Sequence, residues 1–302
     1  MDTGHVTSAD GTVIGFHRLG AGPGLVVLHG QMESARSHLE LAEALAGTYT
    51  VYLPDRRGRG LSGPYGPHHV ADREAEDLEA LLAHTGASRV FAVSVGALVA
   101  LHTAARHRAG STGSPKEHAG GLRTAGAGLI RELALYEPAL FVDGPAPTAW
   151  LERYERELAA GRDAAALITA MKAARLGPAI FDLMPRRLLD ALSARMLAAQ
   201  DRKAGDGDVT MRMLAPTLRH ETRVVAELAR SQAAYGAVGA RTLLLGGSRS
   251  PAYFKAALDA LERVVPGAAR VELAGVGHSG SGNADTGGRP ERVAAELRRF
   301  FG

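Results

Sequence analysis

Residues 90–98 read Val-Phe-Ala-Val-Ser-Val-Gly-Ala-Leu, an apolar run of strand length that stops at Ser94 and passes directly into the small residues of Val95 to Ala105. Unbroken apolar character over Arg89 to Val93 suits a parallel strand covered on both faces. Ser94 therefore falls on the bend between a buried strand and a helix. A sharp bend of this kind needs small neighbours so that helix and strand can pack closely, and Ala92 and Gly96 flank the serine. The turn forces the hydroxyl outward and leaves the following amide, that of Val95, facing the space above it. A buried serine capping a helix would give the same letters, so the surrounding chain has to decide.

On either side of this bend, strands and helices alternate. Asp10-Gly11 lies between His5–Ser8 and Thr12–Arg18 as a hairpin turn. Leu25–Leu28 is a second fully apolar strand ending in His29-Gly30, and helical spacing follows at Leu39, Leu41, Ala42 and Leu45. Thr50–Leu53 then ends in Pro54-Asp55 and the turn-rich 56–63, and a helix over 72–83 stops at Gly86. Further strands are predicted at Glu132–Tyr136, Thr242–Leu245 and Val271–Leu273, with a terminal helix near 291–301. The pattern predicts an α/β fold whose mostly parallel twisted sheet is flanked by helices. Two stretches interrupt it. Residues 108–127, rich in Gly, Ser and charge, read as a surface excursion or mobile loop. Residues 139–239, dominated by helix formers, read as an inserted helical cap, leaving 1–138 and 240–302 as the core.

The 302 residues are 46% hydrophobic and 22% charged, an ordinary globular balance with enough chain for a large core. Lys and Arg number 35 against 32 Asp and Glu, for a formal charge of +3. The basic residues are scattered, which speaks against nucleic acid as a partner. No cysteine is present, so disulfides, thiolate metal sites and a cysteine nucleophile are all excluded. No basic-then-apolar leader opens the chain and no apolar run approaches ~20 residues. The expected setting is the cytoplasm, with no membrane partner. A small-molecule substrate is the expected partner, and homo-oligomer formation stays open.

The bend at Ser94 has company. LVVLHG (25–30) and VYLPDRRGRGLSG (51–63) resemble, in the expected order, the strand-end His-Gly and the Asp-x-Arg-Gly-x-Gly-x-Ser loop of the α/β-hydrolase superfamily. The sequence departs from that family's serine pentapeptide in having Ala92 at the usual first glycine. The resemblance implies the α/β-hydrolase fold with Ser94 as nucleophile and an oxyanion hole made by the backbone amides of Gln31 and Val95. Such donors are worth ~3–4 kcal/mol each when aimed at charge that appears in the transition state. LAGVGHSG (273–280) resembles the family's terminal histidine segment and implies His278 as the base, which a serine hydroxyl requires at neutral pH.

The acid is less plainly written. LLLGGSRSP (243–251) resembles the usual acid loop but has Ser250 where an aspartate would precede the proline. ELALYEP (132–138) instead places Glu137 at the end of the strand after the nucleophile strand, a position some family members use. Glu137 is the preferred acid, against a purely structural glutamate, Asp143, or no acid. Asp55 and Arg57 are expected to hold a turn.

The leading functional expectation is hydrolysis of an ester, lactone or thioester of a small to medium apolar molecule through a Ser94 acyl-enzyme, with no metal and no organic cofactor. Substrate contacts are expected from His29, Met32, Met184 and His220, within a cap whose Met171, Leu176, Ile180, Phe181, Met211 and Met213 suit an apolar pocket. Two other readings use the same fold. One is a cofactor-independent lyase, cyclase or rearrangement enzyme in which Ser94 and His278 move protons, motivated by the missing aspartate at 250. The other is a non-catalytic ligand receptor.

Overall fold

The computed structural model describes residues 1–109, 128–142, 144, 146–174, 183–229 and 231–302. Its centre is an eight-stranded sheet formed by β1 (Asp2–Thr7), β2 (Val13–Leu19), β3 (Gly24–Leu28), β4 (Thr50–Pro54), β5 (Arg89–Val93), β6 (Glu132–Tyr136), β7 (Arg241–Gly247) and β8 (Ala269–Leu273). The strands lie in the order β1-β2-β4-β3-β5-β6-β7-β8. β1 pairs antiparallel with β2 and β2 with β4, while every pairing from β4 to β8 is parallel. Parallel strands need crossovers, and α1 (Leu39–Leu45), α2 (Ala71–Thr85), α3 (Ser94–Ala109) and α9 (Ala252–Val264) lie in them, while α10 (Pro290–Phe301) follows the last strand.

The apolar runs of the central strands are explained by burial on two sides, because successive side chains point to opposite faces. On one face Val26, Leu28, Val90, Ala92, Leu133, Leu135 and Leu244 join a core built with α2, α3 and α9. On the other, Leu25, Val27, Phe91, Val93, Ala134, Tyr136, Leu243 and Leu245 meet residues of α1 and α10. Charges mark where the strands begin. Glu132 stands in register with Arg89 and Arg241, 2.8 Å from Arg89 Nε and hydrogen-bonded to Arg241. Partly exposed pairs of this kind contribute ~0–1 kcal/mol, so their value lies in fixing the register at the end of the sheet opposite Ser94.

The segment between β6 and β7 carries α4 (Leu151–Ala159), α5 (Asp163–Ala174), α6 (Arg186–Lys203), the single turn α7 (Met211–Leu214) and α8 (Leu218–Leu228). It does not pack as one body. Tyr154, Ala166, Leu167, Ala170, Leu197, Ala215 and Leu218 form a small core of their own. Val224, Val225, Leu228, Tyr235 and Val238 instead join the main core. The apolar stripe of α8, spaced three and four residues apart, is what turns that helix back onto the domain. The predicted excursion at 108–127 begins within α3, and residues 110–127 lie outside the described residues, as do Leu176, Ile180 and Phe181. Among the described residues no helix is long and apolar enough to cross a membrane.

Gly96 is the position on which this packing turns: a Cβ there would stand 2.4 Å from the His29 carbonyl oxygen and 2.9 Å from that of Leu28. Both neighbours are backbone and cannot rotate away. Gly96→Ala is therefore expected to destabilise the domain by ~2–4 kcal/mol, the range of severe packing faults, as read from urea unfolding. An unchanged midpoint would show that α3 does not approach β3 this closely.

Candidate active site

Among the described residues three non-glycine positions have positive φ: Met32 at 56°, Ser94 at 54° and Glu137 at 45°. Left-handed backbone costs a side-chain-bearing residue ~1–3 kcal/mol and persists where the surroundings enforce it. Ser94 and Glu137 directly follow the neighbouring strands β5 and β6, and Met32 follows β3 within four residues. All three thus gather where parallel strands end, the edge at which α/β folds assemble their sites. The bend at Ser94 forms with Ala92 in the place of the usual glycine, and Ala92 is fully buried. Gly30 meets Ser94 from the β3 side, since a Cβ there would stand 3.0 Å from Ser94 Cβ and 2.9 Å from Glu33 Oε2.

His278 opens a short 3-10 turn (His278–Ser281) after β8. Its Nδ1 lies 2.7 Å from Glu137 Oε2, and the other carboxylate oxygen accepts the Gly247 amide at 2.6 Å. Glu137 is 1% exposed, so both oxygens are satisfied inside the protein. An ionised carboxylate only accepts, so this contact puts the proton on Nδ1 and leaves Nε2 with a free lone pair. The ring is held from two further directions. Phe254 stacks on it at 4.0 Å and 14°, and Tyr136 Oη donates to the Gly277 carbonyl at 2.6 Å. Where the sequence resemblance would place the acid, Ser250 is buried with its hydroxyl unpartnered among the described residues, and its amide donates to the Gly247 carbonyl at 3.1 Å. Asp143 lies outside the described residues.

Three successive amides after β3 are treated differently. That of Gly30 donates to Glu33 Oε2 at 2.6 Å and that of Met32 reaches Glu221 Oε2 at 3.4 Å. Between them the Gln31 amide has no acceptor among the described residues. Val95 stands in the first turn of α3, where backbone amides have no helical partner. His29 is 1% exposed. Its Nδ1 donates to the Gly30 carbonyl at 2.9 Å and its Nε2 accepts the Arg56 amide at 3.0 Å. Burial, then the charges of Arg59 and Arg56, keep this imidazole neutral by holding its pKa well below the ordinary value. With both nitrogens engaged by backbone, His29 shapes the loop and has no ring nitrogen left for a ligand.

The other expected substrate contacts separate. Met32 packs against the small core between β6 and β7. His220 stacks on Tyr65 at 4.0 Å, and its pKa is lowered to about 4 by burial and by the Arg219 charge. Met184 lines an apolar cavity on α6 with Leu189, Leu192 and Met196, a cavity that contains neither Ser94 nor His278. Asp55 takes the Ala35 amide at 2.8 Å and the Leu61 amide at 2.9 Å, and Arg57 forks onto Asp77 at 2.7 and 2.6 Å. Both tie loops together. Among the described residues there is no group of three or more His, Asp or Glu able to hold a metal.

Glu33 and His38 went unnoticed in the sequence. His38 is fully buried, and its two nitrogens face Glu33 Oε2 at 3.1 Å and the Ser281 carbonyl at 2.9 Å. Both partners are pure acceptors, so only the imidazolium satisfies both bonds. Burial alone would lower the pKa of His38, but Glu33 raises it on balance. Burial likewise opposes ionisation of Glu33, but the charge and hydrogen bond of His38, with the Gly30 amide, together outweigh it and lower its pKa. The pair bridges the Gly30 side of the site to the turn that carries His278. The signal was a glutamate and a histidine five residues apart after a strand-end glycine, too common a spacing to single out.

A family model described as the alpha/beta hydrolase family matches residues 25–296. Among solved structures, an alpha/beta hydrolase from Sphaerobacter thermophilus DSM 20745 is 30% identical, with TM-score 0.74 over 99% of this chain and 100% of that one. An enol-lactonase from Burkholderia xenovorans LB400 is 19% identical, with TM-score 0.66 over 99% of both chains. A thermophilic esterase from Thermogutta terrifontis is 20% identical, with TM-score 0.61 over 100% and 98%. These last two share the fold. Among curated protein sequences there is no significant match.

The Glu33–His38 pair makes stability depend on pH. The raised pKa of His38 means its contribution is complete below the ordinary imidazole value of 6.5 and is lost as pH climbs through the raised one. The lowered pKa of Glu33 means its contribution is present above 4.5 and is lost as pH falls through the lowered one. Wild-type stability should therefore decline on the alkaline side by ~1–3 kcal/mol, the worth of hydrogen bonds to a charged group. His38→Gln should lack that decline. Urea unfolding across pH measures this, and identical alkaline limbs in the two proteins would contradict it.

Proposed function

The chain belongs to the alpha/beta hydrolase family, and from that premise we propose that it is a serine hydrolase of esters, lactones or thioesters of small to medium apolar molecules. The observation that carries this reading is the 2.7 Å contact between Glu137 Oε2 and His278 Nδ1. It supplies the imidazole with the carboxylate that position 250 lacks, and it leaves Nε2 as the proton acceptor. The proton-transfer alternative drew its motive from that missing aspartate and loses it here.

In the proposed reaction Nε2 of His278 takes the Ser94 proton as Oγ bonds to the acyl carbon. Negative charge moves to the carbonyl oxygen, for which the unpartnered Gln31 amide and the Val95 amide are the donors. The buried carboxylate of Glu137 stabilises the imidazolium. Collapse of the tetrahedral adduct breaks the bond to the leaving alcohol or thiol, which takes the proton back from His278. Water then attacks the acyl-enzyme with the same base, releasing the acid and restoring Ser94.

A fluorophosphonate should label the protein at Ser94, located by peptide mass, with no labelling of Ser94→Ala. Glu137→Gln should stay folded and lower kcat on a short-chain p-nitrophenyl ester by ~10³- to 10⁴-fold, the scale found when a triad carboxylate is made neutral. A label elsewhere, or Glu137→Gln at wild-type rate, would contradict the assignment.

A further inference from the structure

Behind the loop at 30–33 lies a set of buried charges that the reaction itself does not use. Glu221 of α8 is 0% exposed and comes from the segment between β6 and β7. It sits within the buried stripe Leu218, Glu221, Thr222, Val225, Leu228, where an apolar residue would suit the packing. Its Oε1 accepts from Arg56 Nη1 and Arg59 Nη2, both at 2.9 Å. Arg56 is anchored behind by Glu74, at 2.6 Å, so two guanidinium and two carboxylate charges balance. A charge set this deeply buried adds little net stability compared with apolar packing.

Its placement gives it a use. Both arginines also hold backbone carbonyls on either side of Gln31: Arg56 Nη1 reaches the Gly30 carbonyl at 3.3 Å and Arg59 Nη1 the Glu33 carbonyl at 3.0 Å. Glu221 itself takes the Met32 amide through Oε2. The residues before and after Gln31 are therefore fixed at carbonyl and amide, Met32 is held at its positive φ, and of the amides of Gly30, Gln31 and Met32 that of Gln31 alone has no acceptor among the described residues.

We propose that Glu221 is a positioning residue that sets the oxyanion hole, clamping residues 30–33 through Arg56 and Arg59 so that the Gln31 amide is presented to the developing charge. The proposal rests on the serine-hydrolase reading. It adds that the segment between β6 and β7 fixes one of the site's donors. The role is electrostatic preorganisation: a donor held in place before the reaction costs no reorganisation during it.

The test compares Glu221→Gln, Arg59→Lys and a control, Asp77→Asn, which breaks the buried Arg57 pair on the neighbouring loop without touching residues 30–33. For each, kcat and KM are measured on a short-chain p-nitrophenyl ester, together with the affinity for an aryl trifluoromethyl ketone, whose adduct with Ser94 places an oxyanion in the hole. Glu221→Gln is expected to lower kcat and ketone affinity in parallel, on the order of 10- to 100-fold, with KM changed less than about threefold. Arg59→Lys should do the same more weakly, because an ammonium cannot bridge Glu221 and the Glu33 carbonyl. Asp77→Asn should lower thermal stability and leave both ratios alone. If Glu221→Gln does not fold, Arg59→Lys decides by the same criterion. A folded variant with unchanged ketone affinity would overturn the proposal. Wild-type protein inert to both ester and ketone would overturn the hydrolase reading, and this one with it.

Discussion

The constraint on which the rest depends is the left-handed backbone at Ser94, φ 54°, at the junction of the central strand and the helix that covers it. An L residue adopts that conformation at a cost, and here the cost is met by packing. The residues of β5 are buried on both faces, and α3 can press against the end of β3 because Gly96 has no side chain to strike the His29 carbonyl. With the bend fixed, the hydroxyl stands at the strand-end edge of the sheet. The β3 loop, the β6 end and the turn after β8 all arrive at the same edge. Strain at Glu137 and Met32 belongs to this arrangement, since each delivers one group, a carboxylate or an amide, that a relaxed strand end would direct elsewhere.

Around that bend the charges form two closed sets. Glu137 serves His278, and its second oxygen is occupied by the Gly247 amide, so the imidazole is oriented without a stray negative charge beside Ser94. Glu33 serves the Gly30 amide and is matched by the imidazolium of His38. In the proposed reaction an unmatched carboxylate next to the oxyanion would oppose the chemistry; His38 matches Glu33 and ties the β3 loop to Ser281. Within these two sets the buried carboxylate of Glu137 and both nitrogens of His38 are hydrogen-bonded, the condition under which such groups are tolerated.

Much of this was legible in the sequence because it is local. The bounds of β5 and β6 could be read from unbroken apolar runs, and the bend from Ser94 between Ala92 and Gly96. Glu137 stood out because a strand ended there, and the vacancy at Ser250 directed attention to it. The Asp55 and Arg57 loop read as a turn because glycines crowd around it. What escaped was non-local. Nothing in the residues around 221 announces that this glutamate meets Arg56, 165 positions earlier, although a charged residue in an otherwise apolar helical stripe was a usable hint. Phe254 stacking on His278 and His38 reaching Ser281 depend likewise on which helices close over the sheet. The inserted segment was expected to be a helical cap, and the stripe of α8 that joins the main core was visible only as one more amphipathic helix.

The most direct measurement of the central claim is the mass of the protein trapped during turnover. Acid quenching within the first turnovers of a slowly hydrolysed p-nitrophenyl ester, followed by intact-protein and peptide mass spectrometry, reads whether the acyl group passes through the serine. The expected result is an increase equal to the acyl group, located on the peptide that contains Ser94 and absent from Ser94→Ala. Steady turnover with no covalent species at any quench time, persisting in Ser94→Ala, would contradict it.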